Sequence, residues 1–135
     1  MASFHLEIVS IDGLKFEDEV ERVTLRSIAG DVAILAGHTN YCTAVGMGTA
    51  KLILPDGTER HGACIGGMLS VMDKRCHLLP STWEWSDEID VERAKEAKRK
   101  AEEGLREERL SEEARLRAQA KLYRALIRLQ TAGAR

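Results

Sequence analysis

Cysteine, aromatic rings and proline are all scarce in this sequence. Three cysteines, Cys42, Cys64 and Cys76, are odd in number, far apart and in no C-x-x-C pair. That excludes a disulfide-stapled scaffold and a redox dithiol, and it points to reduced, half-buried thiols. A zinc centre needs paired ligands, and His5, His38, His61 and His77 stand at no such spacing, so no metal site is expected. Aromatics make up only 4% of the chain, so any core must be built from aliphatic residues. No apolar run approaches the ~20 residues of a membrane helix, and the first residues lack a basic region followed by an apolar stretch, so no signal peptide is expected. Work at a membrane would then depend on another subunit. Catalytic signatures are missing too. Gly66-Gly67 lacks the Lys-Ser/Thr sequel of a phosphate loop, and His38 and Cys42, four apart, are a coincidence of spacing. No Ser-His-Asp or Cys-His arrangement stands out, which leaves a small β-sandwich enzyme without an acid/base cluster.

Charge is plentiful and unevenly spread. The formal net charge of -2 sets up no global field for nucleic acid or anionic membrane. Residues 1–85 carry net -4, whereas 86–135 carry net +2 with 24 of 50 positions charged. This shift marks the boundary between an N-terminal unit, 1–85, and a C-terminal one, 86–135. In the first, Phe4, Leu6 and Ile8 alternate with His5 and Glu7 as on a half-buried strand. Val23 and Leu25 alternate in the same way within Val20 to Arg26, followed by Val32 to Leu35, Thr49 to Leu54, Arg60 to Ile65, Met68 to Met72 and Cys76 to Leu79. Turns at Asp12-Gly13, Gly30-Asp31, Pro55-Asp56-Gly57 and Asp73-Lys74 separate these runs, and Gly66-Gly67 is expected to break the chain between two of them. Short strands at this spacing predict an all-β sandwich or barrel.

The second unit reads as helix. Asp90 fits an N-cap with Glu92 behind it, and Ala94, Ala97, Ala101 and Leu105 fall on one face. Ser111 caps a second helix whose apolar face is Ala114, Ala118, Leu122, Ala125, Leu129 and Ala132. The fold class is therefore an N-terminal all-β sandwich followed by an antiparallel two-helix hairpin. Alanine stripes bury little apolar area, so the hairpin is weakly held, as a conformational switch requires. Arg117, Lys121, Arg124 and Arg128 form a basic stripe on the second helix that would welcome an anion or an acidic surface. Trp83 and Trp85 flank the joint, and one is expected to pack on the sandwich while the other meets the hairpin or a partner.

Taken in order, these pieces resemble the epsilon subunit of bacterial F-type ATP synthases over essentially the whole length. The carriers are His5 to Ser10, Gly30-Asp31-Val32-Ala33-Ile34-Leu35-Ala36-Gly37-His38, Gly66 to Val71, Ile89-Asp90-Val91-Glu92-Arg93-Ala94, the Ala-rich helix Lys95 to Leu105, and Tyr123 to Leu129. The resemblance implies a non-catalytic subunit at the foot of the central gamma shaft, seated on the ring of membrane c subunits at the cytoplasmic face of the plasma membrane. It implies that the hairpin either folds on the sandwich or extends along gamma into the alpha/beta catalytic head, where it blocks ATP hydrolysis. It also implies no required cofactor, but ATP, with or without magnesium, as a regulatory ligand of the folded hairpin. That ligand would sit at a motif matched here by Ile89, Asp90, Arg93 and Ala94, with Glu84 ahead, Lys100 where other members carry arginine, and Arg124 and Arg128 on the second helix. Asp31 and His38 match positions that the family turns toward the c-ring, although Ala36 and Val32-Ala33 depart from the usual loop residues. The alternative reading is a free-standing ATP-sensing module.

Overall fold

The computed structural model describes residues 2–134; residues 1 and 135, the outer ends of the two expected units, lie outside that description. Eight strands precede two helices. The strands are β1 (Phe4–Ser10), β2 (Gly13–Val20), β3 (Arg22–Ser27), β4 (Gly30–Leu35), β5 (Tyr41–Ala44), β6 (Met47–Ile53), β7 (Glu59–Met72) and β8 (Arg75–Trp85). A single 3-10 turn, Ser86–Glu88, leads into α1 (Val91–Leu105) and α2 (Glu112–Gly133).

The strands form two layers that share their longest members. One layer runs β2-β1-β8-β7-β5 and the other β8-β7-β6-β3-β4. Strand β7 pairs with β6 through residues 59–65 and with β5 through 68–71, and the bend between these halves falls at Gly66 and Gly67. The expected break there is instead a continuous strand that changes layers. Both glycines have positive φ, +70° and +114°, and a Cβ on Gly67 would lie 2.1 Å from the Leu79 carbonyl oxygen, so only glycine fits. Between the layers, Leu6, Ile8, Val20, Val23, Leu25, Ile34, Leu52, Leu69 and Leu78 are fully buried, an aliphatic core as the composition requires.

Two strands differ from the sequence expectation. β2 is an edge strand whose second half carries Glu17, Asp18 and Glu19, so it shows little apolar alternation, and the chain breaks at Glu21 rather than running from Val20 into β3. β5 is four residues long, too short to show a period.

The hairpin packs against the outer face of the second layer. Ala63 and Ile65 are buried there although they alternate with core-facing Cys64, because α2 covers them. Ala94 and Ala101 of α1 and Ala125 of α2 are buried where the helices meet. Gly104, inside α1, faces Ala118 across the hairpin, and a Cβ there would stand 4.0 Å from that of Ala118, an ordinary contact that does not demand glycine.

Candidate functional site

The joint between sandwich and hairpin holds a cleft of about 530 Å³. Strand β8 supplies Thr82, Trp83 and Glu84 to its wall, and the 3-10 turn supplies Glu88. Asp90, Arg93, Ala94 and Ala97 come from the start of α1, Arg128 from α2, and Asp12 from the β1–β2 turn. This volume lies within the range of small-molecule sites.

Local chemistry explains why these side chains converge. Asp90 is extended (φ -78°, ψ 98°), and its Oδ1 accepts the Arg93 N–H at 3.1 Å, while its carbonyl accepts the Ala94 N–H. This N-cap fixes the first turn of α1 and so the direction in which Arg93 leaves it. Ile89, one residue earlier, is buried and anchors the entry to the helix. Arg128 reaches across from α2 and donates its Nε–H to Glu84 Oε1, in an ion pair half-shielded from water. The second direct polar link between hairpin and sandwich is Thr49 Oγ1 to Thr131 Oγ1 at 2.7 Å, with Thr131 fully buried and also donating to the Ile127 carbonyl. Only one hydrogen can lie between two hydroxyls; because Thr131 spends its own on Ile127, Thr49 is the donor.

Of the residues expected at a nucleotide site, Glu84, Asp90, Arg93, Ala94 and Arg128 line the cleft and Ile89 lies buried beside it. Lys100 and Arg124 are not part of its wall. They lie two turns beyond Arg93 and one turn before Arg128, roughly 10 Å and 6 Å along their helices on the same faces. Four carboxylates (Asp12, Glu84, Glu88, Asp90) and two guanidiniums (Arg93, Arg128) face the cleft. Arg128 is engaged by Glu84, which leaves Arg93 the more available cation.

Asp12, Thr82, Trp83, Glu88 and Ala97 also line the cleft, beyond the residues the sequence suggests. The alternation Trp83-Glu84-Trp85 carries part of the signal, since it sends Glu84 outward to the hairpin and both tryptophans inward. The two rings meet edge to face at 5.1 Å, so neither serves the hairpin alone as expected. The Trp83 Nε1–H is buried and has no partner among the described residues. Arg60 stacks its guanidinium on the Trp85 ring at 3.7 Å, closing the outer end of the second layer.

Asp31 and His38 are not brought together. Asp31 lies near the start of β4, where its carboxylate pairs with Arg26 Nε at 3.3 Å on the surface. His38 follows the other end of β4, after roughly 13 Å of strand. Its ring nitrogen stands 2.8 Å from the Thr39 carbonyl and its ring tilts against Tyr41.

The outer face of the first layer is open. One row across its strands is apolar: Leu14 pairs with Val9, Val9 lies one step beyond the Ile8–Leu78 pair and so beside Leu79, Leu79 pairs with Met68, and Met68 with Ala44. Leu14, Leu79 and Met68 are 60%, 50% and 44% exposed, a contiguous apolar band on the sheet face that the hairpin does not cover. No helix among the described residues is long and apolar enough to cross a membrane.

Comparison with known proteins agrees with this architecture. Residues 3–86 match the family model for the ATP synthase Delta/Epsilon chain beta-sandwich domain, and residues 87–133 that for its long alpha-helix domain. The ATP synthase epsilon chain of Caldicellulosiruptor bescii is 39% identical over 132 residues, covering 98% of this chain and 95% of its own. That of Bacillus pumilus is 37% identical, covering 98% and 99%. The sodium ion specific epsilon chain of Acetobacterium woodii is 39% identical over 73% of this chain and 74% of its own. Among solved structures, a chain of the Euglena gracilis mitochondrial ATP synthase superposes with a TM-score of 0.84 at 21% identity, covering 98% of this chain and 82% of that one, a likeness of fold. With its sandwich, its capped hairpin and these relatives, the chain belongs to the ATP synthase epsilon-chain family.

Proposed function

We propose that this chain is the non-catalytic central-stalk subunit of a rotary F-type ATP synthase, and that its hairpin regulates ATP hydrolysis by leaving or holding the sandwich. The relatives named as epsilon chains support the first part. A chain of similar fold occurs in the central stalk and c-ring assembly of the Tetrahymena thermophila enzyme, with a TM-score of 0.66 at 10% identity, covering 95% of each chain. On this reading the gamma shaft seats on the open apolar band, the c-ring meets the sandwich near Asp31 or His38, and the assembly lies at the cytoplasmic face of the membrane.

The observation that carries the regulatory part is the economy of the docking. Among the described residues, the side-chain contacts found between α2 and the sandwich are a shallow alanine and isoleucine patch, a partly exposed ion pair and a hydroxyl pair. A half-exposed ion pair contributes about 1 kcal/mol or less, so modest binding energy elsewhere shifts the equilibrium. ATP at the joint would hold the folded state. Arg93 and Arg128 meet phosphate, and Lys100 and Arg124 continue the positive track. The cleft's four carboxylates disfavour a bare triphosphate, so magnesium should strengthen binding.

The test is reconstitution of an alpha/beta/gamma head with the full chain and with residues 1–88 alone. The full chain joins the complex and slows hydrolysis; the shortened chain joins without slowing it. Failure of the full chain to join rules out the stalk assignment, and equal hydrolysis with both chains rules out regulation by the hairpin. Calorimetry on the isolated chain tests ATP separately: heat with magnesium-ATP, lost in Arg93→Ala and Arg128→Ala, is expected.

A further inference from the structure

Beside the apolar band, strand pairing gathers four side chains that are far apart in the sequence. Glu7 on β1 lies between its register partners Glu17 on β2 and His77 on β8, and His5 leaves β1 on the same face two residues earlier. His5 Nε2 lies 3.6 Å from Glu17 Oε2, and His77 Nδ1 lies 3.5 Å from Glu7 Oε1. Ligand atoms of His5, Glu7 and Glu17 all fall within 4.8 Å of one another, the only such group of three among the described residues. Two carboxylates set directly opposite on paired strands repel unless a proton or a cation lies between them. Hydrogen bonding from Glu17 is the main cause holding the Glu7 carboxyl below its ordinary range, with His77 and His5 adding to it.

From this geometry we propose that His5, Glu7, Glu17 and His77 bind a divalent cation of the zinc class. Two imidazole nitrogens and two carboxylate oxygens suit zinc or cobalt(II), whereas magnesium and calcium take all-oxygen shells. In a tetrahedral shell with bonds of about 2.0–2.1 Å, neighbouring ligand atoms stand roughly 3.3–3.4 Å apart. The two nitrogen–oxygen gaps of 3.5 and 3.6 Å therefore need to close by only a few tenths. The strand pairing sets three of the ligands within 4.8 Å of one another, and His77, outside that group but 3.5 Å from Glu7, must swing inward to complete the shell. All four side chains are partly exposed, so the cation has a route in. Arg75 and Glu19, register partners of His5 on either side, bring charges of opposite sign to the margin of the site. A bound cation would tie edge strand β2 to β8 through β1, on the face that the stalk reading gives to a partner.

Cobalt(II) titration of the full chain near neutral pH tests this. One equivalent should give the visible absorption of a tetrahedral nitrogen/oxygen site, without a thiolate charge-transfer band, and zinc should displace it. Glu7→Gln and His77→Gln, which keep side-chain size, should each weaken binding at least about tenfold. Cys42→Ser and His38→Gln should leave it unchanged. Zinc should raise the thermal midpoint of the native chain, and not that of Glu7→Gln, with reversal by a chelator. Absence of saturable binding overturns the proposal. So does a spectrum that survives both ligand substitutions, or one that disappears with Cys42→Ser.

Discussion

Gly62 is small because Trp83 needs its space: a Cβ there would stand 2.2 Å from the indole ring. Gly62→Ala should therefore move a core tryptophan and destabilise the sandwich by about 1–3 kcal/mol, as overpacked sites do. Urea unfolding followed by tryptophan fluorescence measures it. Burial pushes the thiols of Cys64 and Cys76 up to about 12, whereas Cys42 is exposed. The thiolate is the reactive form, so a thiol reagent at mildly alkaline pH should modify one cysteine in the native chain and three after denaturation. Asp56 is held below its ordinary carboxylate value, chiefly because it accepts the Thr58 N–H at 2.9 Å. A depressed pKa contributes stability above the unfolded value of 3.8, and that contribution disappears as the pH falls through the lower folded value. Asp56→Asn should flatten this acid limb of the stability profile.

Among the elements, both helices announce themselves through caps. Asp90 and Ser111 do what their residue types suggest, each side chain accepting the N–H three residues on. Asp90→Ala should cost about 1 kcal/mol and speed amide exchange in the first turn of α1, next to the cleft, before it affects the core strands. The central strands are equally legible, because one face is buried and the alternation is enforced. β2 and β5 are not, because an acidic edge strand and a four-residue strand impose no apolar period. The layer change at Gly66 and Gly67 is hidden for another reason: two glycines look the same in a break and in a bend, and only the β5 and β6 partners distinguish them.

For the whole molecule, the boundary between the two kinds of structure is visible in charge and composition, but the cleft at that boundary is not. Glu84 and Arg128 are 44 residues apart, and only a folded hairpin brings them together; the family resemblance, rather than any local spacing, nominated them. Paired labels on Ser70 and Ala132 should report a single distance with magnesium-ATP and gain a second, different population in Arg128→Ala. Leu79→Glu, on the open apolar band, should leave the isolated chain folded and prevent it from joining a gamma-containing complex. One mechanical consequence follows from the two strands that belong to both layers. A torque applied to one layer reaches the other along unbroken backbone, and the ladder between β7 and β8 resists it in shear, with many hydrogen bonds sharing the strain at once. A sandwich whose layers met only through side chains could slip between its sheets; this one twists as a single stiff body, suited to a coupling placed between two rotating parts.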